Sequence, residues 1–304
     1  MSVETEIADA MLAYGITPPT TIAFDGKIRR FGKNKSSWYA AYSSPVAICV
    51  YGDWKTGVSE KFIEARQDIT PKDWRRIAQQ IREAAAQRER ELRSRHEHAA
   101  KYCAAIWNSA DEEGVNSYLA SKGLQHPISD YGLRQGKGSF GNYAPFGRDE
   151  ISLIVPVVDL DRNINSLQFI ASDGRKRFYL GGKLKGHFCA TGLFDKPIKI
   201  LITEGIATAL TLFEDTGFPV ITAFNCGNLA SVAEAVRWKY PDADILICGD
   251  DDYLTEGNPG KTKAKEAAIR CGGDWVLPVF TGLPRGPKDT DFNDLRRLKE
   301  VHHG

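Results

Sequence analysis

The chain has 304 residues, of which 42% are hydrophobic and 26% are charged, as is usual for a globular protein built from two or three compact units. Its formal net charge is +1, so total charge gives no argument for a nucleic-acid partner. No apolar run is long enough to cross a bilayer, and the N-terminal stretch MSVETEIADAML lacks the basic segment of a signal peptide, so we expect no membrane partner.

The six cysteines are scattered, and no two of them are spaced as CxxC. This spacing argues against a zinc ribbon, and we expect no zinc. Scattered single cysteines without a secretion signal are typical of a reducing compartment, which predicts a cytoplasmic protein.

Residues 1–68 are predicted to form a small β-rich N-terminal domain. Short β-type runs are broken by turn signals such as Asp25-Gly26 and Gly52-Asp53, which is typical of antiparallel hairpins. Basic residues alternate here with aromatic residues such as Trp38 and Tyr39, a combination that can bind single strands. Taken alone, the pattern favours an aromatic core with solvated cations.

Residues 69–115 are predicted to form a helical connector. Thr70 can cap a helix and Pro71 suits its first position. Residues 87–98 contain one large apolar side chain, Leu92, so no side of this stretch can be buried. An exposed helix is therefore favoured over a nucleic-acid-binding face, because glutamates offset the arginines. The apolar positions expected to share one face before this stretch are Trp74, Ile77 and Ile81.

Residues 116–197 are predicted to form a mixed α+β basic subdomain. A short helix ends near Gly123, and strands are expected at 153–158, 164–170 and 178–180. Five cations surround the Gly181-Gly182 turn, an arrangement that suits phosphate or a nucleic-acid backbone. These cations are Arg175, Lys176, Arg177, Lys183 and Lys185.

Residues 198–304 change rhythm, because apolar strands alternate with helical runs. The helices are expected at 206–215, 229–239 and 259–271. This alternation predicts a parallel sheet with flanking helices on both faces, and such sheets bind ligands at the carboxyl ends of their strands.

The stretch GNPGKT, residues 257–262, resembles the end of a phosphate-binding P-loop. The motif requires a glycine five residues before Gly260, where the chain has Thr255. Acidic residues also precede the stretch, and they would repel a triphosphate. We therefore interpret it as a helix start, capped by Asn258 with Pro259 in the first position.

Three acids, Asp250 to Asp252, follow the strand DILICG. Alternation along an extended segment directs Asp250 and Asp252 to one side and Asp251 to the other. Two adjacent carboxylates repel each other unless a cation lies between them, and oxygen ligands suit Mg²⁺ or Mn²⁺. A solvated acidic loop is the alternative.

Two further acidic groups follow strands of the same sheet. Glu204 comes directly after the strand IKILIT, although a glutamate in a first helical turn is also favoured by the helix dipole. The segment GPKDTDFNDL places Asp289, Asp291, Asn293 and Asp294 after the last strand. Because successive strands of a parallel sheet bring these acids to one edge, together they predict a metal site.

This constellation resembles the Toprim domain, which carries a Glu-Gly after its first strand and an Asp-x-Asp after its third. Here these are Glu204-Gly205 and Asp250-x-Asp252, and the resemblance covers roughly residues 198–295. Within that family, GDDDYLTEGNPGKTKAKEAA and KDTDFNDL resemble plasmid, phage and bacterial primases. The stretch LIVPVVDLDRNINSLQFIASDGRKRFYLGG resembles the basic subdomain that precedes Toprim in primases.

The resemblance implies a DNA primase that synthesises short RNA primers on single-stranded DNA, for plasmid, phage or mobile-element replication. Asp250 and Asp252 would hold Mg²⁺ or Mn²⁺, with Asp289 and Asp291 as further ligands. Glu204 would act as a general base or as another metal ligand. The five cations would bind the nucleoside triphosphate or the template.

The chain departs from the family in two ways, since it has neither a zinc ribbon nor a P-loop helicase. We therefore expect a replicative helicase to act in trans, and the N-terminal domain to read the template or bind a partner. The alternatives are a Toprim nuclease, which the basic subdomain disfavours, and a non-catalytic single-strand-binding accessory, which the full set of acids disfavours. A topoisomerase would need a longer chain.

Overall fold

A computed structural model divides the chain into two compact units. The first is Met1–Ser94 and the second is Arg95–Gly304, so the boundary falls within a long helix. The four-part division inferred from the sequence remains a prediction, and its first boundary, at residue 68, lies outside the described residues. The structure describes residues 2–53, 56–65, 70–141 and 143–303.

The first unit contains a four-stranded antiparallel sheet, as the hairpin signals predict, and a helix before it that the sequence reading missed. In the central strands, Tyr39 and Tyr51 pack under this N-terminal helix. Trp38 packs on the opposite face, where Arg88 stacks 4.8 Å from the centre of its ring. The preference for an aromatic core is therefore confirmed. The elements are α1 (Val3–Ala13), β1 (Arg29–Phe31), a short 3₁₀ helix (Lys33–Lys35), β2 (Ser37–Tyr42), β3 (Ile48–Asp53) and β4 (Ser59–Ile63).

A single long helix, α2 (Pro71–Ser109), follows the sheet. Thr70 and Asp73 cap it reciprocally, since the Asp73 N–H donates to Thr70 Oγ1 and the Thr70 N–H donates to Asp73 Oδ2. Of the residues expected to share one face, Ile77 is buried, whereas Trp74 is 49% exposed. None of residues 87–98, all of which are described, is buried, as their polarity predicts.

The second unit begins with an antiparallel sheet in the order β5-β6-β7-β8. The strand β7 has the predicted bounds, whereas β8 begins and ends two residues earlier than predicted. Strand β6 is buried on both faces because a separate apolar cluster packs on each. The elements are α3 (Ser117–Ser121), a 3₁₀ helix (Ile128–Tyr131), β5 (Arg134–Lys137), β6 (Ile151–Val158), β7 (Ile164–Ile170) and β8 (Lys176–Phe178).

The rest of the second unit is an α/β fold around a five-stranded sheet, in the order β13-β12-β10-β11-β9. Its first four strands are parallel, which confirms the predicted sheet, and β9 adds an antiparallel edge. The elements are β9 (Cys189–Thr191), β10 (Lys199–Thr203), α4 (Ile206–Thr216), β11 (Val220–Thr222), α5 (Cys226–Lys239), β12 (Asp244–Cys248), α6 (Pro259–Cys271), β13 (Asp274–Val276) and α7 (Phe292–His303).

Helix α6 has the predicted bounds, and α5 begins three residues earlier than predicted. Across the described part of the chain, no helix is both long and apolar enough to span a membrane.

Candidate active site

The carboxyl edge of the parallel sheet brings the predicted acids together. Thr203 at the end of β10 is paired in register with Cys248 at the end of β12. The residues that follow these two positions therefore leave the sheet side by side. The backbone N–H groups of Asp250 and of Cys226, the first residue of α5, partly offset the rise in the pKa of Glu204 that burial causes.

Burial and mutual repulsion perturb the acids at this edge. Burial, reinforced by the charge of Asp252, raises the pKa of Glu204 to about 7. Burial raises the pKa of Asp250 to about 9, and the charges of Glu204, Asp291 and Asp252 add to the effect. Perturbation of this size is typical of functional sites.

Two carboxyl oxygens at the centre of the site are buried without a hydrogen-bond partner among the described residues. These are Oε1 of Glu204 and Oδ1 of Asp250. Folded proteins pair almost all of their buried polar atoms, because each unpaired one costs about 1–3 kcal/mol. The two oxygens are therefore free to bind a ligand, and a cation is the ligand that carboxylates bind best.

Asp252 is fixed by the first turn of α6. Its Oδ2 accepts a hydrogen bond of 3.0 Å from the Gly260 N–H. A side chain at Gly260 would place its Cβ 2.4 Å from the carbonyl oxygen of Asp250, so only glycine allows this approach. Asn258 caps α6 by accepting from the Lys261 N–H, which confirms that GNPGKT is a helix start.

Asp251 has partners other than the acids that perturb Glu204 and Asp250, in keeping with the predicted alternation. Arg285 Nη1 donates to its Oδ2 at 2.7 Å, and Asn258 Nδ2 donates to its Oδ1 at 2.7 Å. Burial opposes the charge on Asp251, but these hydrogen bonds outweigh it and hold the pKa below its usual value. Arg285 lies between the rings of Tyr253 and Phe280, at 3.8 and 4.2 Å from their centres. The sequence reading did not identify Arg285, since no recognised motif marks it.

Asp289 and Asp291 have different surroundings. Asp291 Oδ2 accepts from Thr208 Oγ1 at 2.9 Å, and its charge raises the pKa of Asp250. Asp289 closes a local turn, where its Oδ2 accepts from the Gly286 N–H at 2.6 Å. The four charged groups that act most strongly on Asp250 do not include Asp289; they are Glu204, Asp291, Asp252 and Lys176.

Of the five predicted cations, Lys176 is the one whose described interactions reach the acids. Its side chain is exposed to solvent, yet burial and nearby Lys122 lower the pKa of its ammonium, while Asp291 and Asp250 raise it. Lys176 is therefore a cation whose charge is felt by the acids of the site. Lys122 is a second cation near Lys176 that the sequence did not point to.

The other predicted cations lie elsewhere in the second unit. Arg175 and Arg177 stand over the Phe146 ring, 5.2 and 5.5 Å from its centre. Burial lowers the pKa of His96 and of His187, and the charge of Lys183 adds to this effect. Lys185 is exposed, and its carbonyl oxygen is hydrogen-bonded to His187 Nδ1 at 2.9 Å.

No group of three His, Cys, Asp or Glu side chains in the described residues is close enough to hold a metal ion by itself. The oxygen-only donors and the two unpaired carboxyl oxygens nevertheless fit a hard divalent cation. Such a cation is commonly bound by one or two carboxylates, with water or phosphate oxygens completing its coordination. The site therefore fits a divalent cation that arrives together with a phosphate substrate.

The sequence matches known proteins over this region and beyond it. Residues 199–300 match the Toprim domain model. The chain is 30% identical over 294 residues to a DNA primase TraC of Escherichia coli, which covers 91% of this chain and 26% of that protein. It is 34% identical over 175 residues to another E. coli protein of the same name, covering 55% and 11%. The chain thus spans about a quarter or less of these curated relatives.

Solved primase structures are similar to parts of the chain. The primase fragment of the bacteriophage T7 primase-helicase has a TM-score of 0.41 and 19% identity, covering 63% of this chain and 71% of that one. The DnaG primase catalytic domain bound to single-stranded DNA has a TM-score of 0.45 and 13% identity, covering 70% and 78%.

Proposed function

We propose that this chain, a Toprim-domain protein related to DNA primase TraC, is itself a DNA primase. It would synthesise short RNA primers on single-stranded DNA for plasmid, phage or mobile-element replication. The observation that carries the proposal is the pair of unpaired carboxyl oxygens of Glu204 and Asp250 at the carboxyl edge of the Toprim sheet. Burying unpaired carboxyl oxygens lowers the stability of the fold. Binding the metal ions that nucleotidyl transfer needs would account for their presence.

The carboxylates would hold Mg²⁺ or Mn²⁺. Asp250 and Asp252 are the proposed principal ligands. Asp291 is close enough that its charge raises the pKa of Asp250. Asp289 would join them only if its turn with Gly286 opens. When bound, divalent ions at such a site stabilise the attacking and leaving oxygens of phosphoryl transfer.

Glu204 is the proposed general base. With a pKa near 7 it can accept the proton of a primer 3′-hydroxyl at neutral pH and release it again, which is the property that a catalytic base needs. Glu204 could instead serve as a further metal ligand. Lys176 would bind the triphosphate, since it is exposed and its charge interacts with those of Asp291 and Asp250.

The proposed substrates are a single-stranded DNA template and nucleoside triphosphates. Arg175, Arg177, Lys183 and Lys185 would contact the template backbone, and a replicative helicase would act in trans. Because these substrates and replicating DNA are found in the cytoplasm, we propose a cytoplasmic location.

The test is to incubate the purified chain with mixed-sequence single-stranded DNA, labelled nucleoside triphosphates and Mg²⁺ or Mn²⁺. A primase makes new short oligomers, a Toprim nuclease shortens the template, and a non-catalytic binding protein does neither. Asp250→Asn and Glu204→Gln should each abolish synthesis without unfolding the chain. Asp244→Asn is the matched control, because Asp244 is exposed at the opposite end of β12.

A further inference from the structure

We propose that an aromatic cavity in the second unit binds an unstacked base of the single-stranded DNA, an inference that rests on the proposed function. The cavity has a volume of about 660 Å³ and lies between α2, the loop after β5 and the end of β8. A volume of this size lies within the range of small-molecule pockets. We call it the aromatic cavity; its main lining residues are Tyr102, Ile106, Phe140, Tyr143, Tyr179 and Leu180.

The inner wall of the aromatic cavity is rigid and its rim is open. The Tyr143 ring packs 4.8 Å from Tyr179 and 5.3 Å from buried Phe169, measured between ring centres. The Tyr143 hydroxyl also donates to the Phe178 carbonyl oxygen at 3.3 Å. At the rim, Tyr102 is 62% exposed and Leu180 is 78% exposed. A flat ligand can therefore reach a preformed aromatic wall without displacing the core.

Positive charge lies beside the aromatic cavity. Arg177 is paired in register with Phe169, so it shares the sheet face on which the cavity lies. Its charge partly offsets the rise in the pKa of Tyr143 that burial causes. Its guanidinium and that of Arg175 both lie over the Phe146 ring. An aromatic wall flanked by guanidinium groups matches a nucleic-acid strand, which offers bases and phosphates in alternation.

Strand β8 carries one cation on the side of the aromatic cavity and another on the side of the acidic residues. Lys176 and Arg177 are consecutive in β8, so their side chains point to opposite faces of the sheet. Lys176 lies near Asp250 and Asp291, whereas Arg177 lies near Tyr143. Strand β8 lies at the edge of its sheet. A single DNA strand that passes over this edge can therefore contact both faces of the sheet. The cavity would then hold one base of the template while the neighbouring phosphates approach the cations.

A base explains the features of the cavity better than an apolar protein segment does. An apolar segment would use the rings but not the guanidinium groups beside them. Stacking of a base on an aromatic side chain contributes about 1–3 kcal/mol and tolerates any sequence, because every base has a π-face. The cavity would therefore improve grip on the template without selecting its sequence.

The experiment measures binding of a labelled oligothymidylate to the full chain by fluorescence anisotropy over a salt series. We expect Tyr102→Ala to weaken binding about tenfold, the equivalent of losing one stacked base. The slope of log affinity against log salt should stay unchanged, since no phosphate contact is lost. Tyr102→Phe should bind as the wild type does. The matched control is Trp238→Ala, which removes a 79% exposed aromatic from α5 and should have no effect.

An abasic oligomer of equal length separates stacking from other effects. The wild type and Tyr102→Ala should bind it equally, because it has no base to stack. If Tyr102→Ala binds oligothymidylate like the wild type, or loses affinity for the abasic strand as well, the inference is wrong, and an apolar protein segment becomes the better occupant. Primer synthesis by the wild type in that case would leave the proposed function intact. A wild-type chain that binds no single strand would overturn both.

Discussion

Arg285 and Asp251 form a largely buried ion pair that joins the loop after β12 to the segment before α7. Arg285 contacts both the Oδ2 and the carbonyl oxygen of Asp251 at 2.7 Å, and its Nε donates to the carbonyl oxygen of Asp289 at 2.8 Å. One guanidinium thus connects two segments that carry predicted metal ligands. We infer that it holds the acidic loop in place.

Arg285→Ala should lower the free energy of unfolding by about 3 kcal/mol, because it leaves the Asp251 carboxylate without its charged partner in a partly buried place. Chemical denaturation measures the loss. Arg270→Ala is the control, since Arg270 makes half-exposed ion pairs with Glu234 and Glu266 that contribute at most about 1 kcal/mol. Equal effects of the two substitutions would contradict the assigned role.

Asp250→Asn should stabilise the protein in the absence of divalent metal, by a margin that grows with pH. The pKa of Asp250 rises from 3.8 in the unfolded chain to about 9 in the folded protein. Below the lower value both states are protonated, and between the two values the folded protein retains a proton that the unfolded chain has lost. The wild type therefore loses stability as pH rises through this window, whereas asparagine does not titrate.

Thermal melts with chelator from pH 5 to pH 9 measure this difference. We expect the melting temperature of Asp250→Asn to exceed that of the wild type by several degrees at pH 8, and by less at pH 5. Mn²⁺ should narrow the gap, because it stabilises only the protein that binds it. A gap that does not change with pH would show that Asp250 is not buried as described.

Mn²⁺ affinity should rise with pH between about 6 and 8. The pKa of Glu204 is raised to about 7, so a proton must leave before its carboxylate can face a cation. Titration calorimetry in two buffers of different ionisation enthalpy would detect the released proton. Glu204→Gln should reduce that proton release to the share of Asp250, whose pKa is raised to about 9. Proton release that is unchanged in this variant would contradict the role of Glu204.

Lys176→Ala and Arg177→Ala should have separable effects, because their side chains lie on opposite faces of β8. Lys176→Ala should raise the Michaelis constant for nucleoside triphosphate about tenfold, since it removes a charged contact. Arg177→Ala should lower the salt dependence of single-strand binding by roughly 0.7 in the log–log slope. If both residues are solvated turn cations, neither quantity will change.

A fragment of residues 95–304 should fold alone, because the chain divides into compact units at this point. We expect it to unfold cooperatively and to bind Mn²⁺ like the full chain. Its primer synthesis should be weaker, since the N-terminal unit is proposed to bind the template or a partner. Full initiation rates on all templates would show that the N-terminal unit has neither role.

Local patterns in the sequence were enough to predict which residues follow the strands of the parallel sheet. The alternation of apolar strands and helices predicted the sheet and the bounds of α6, and the period of an extended segment separated Asp251 from Asp250 and Asp252. These are local properties, because strand period, helix caps and turn residues act over only a few neighbours. The family resemblance of residues 198–295 rested on the same short motifs.

Which members of each predicted group meet could be read only from the folded chain. Asp291 accepts a hydrogen bond from Thr208 of α4, whereas Asp289 accepts one from Gly286 within its own turn. Lys176 reaches the acids, while its neighbour Arg177 faces the aromatic cavity. Neither Arg285 nor Tyr102 belonged to a motif that predicted a functional role. Such pairings depend on strand register and on packing between segments that are far apart in the chain, and no local pattern encodes them.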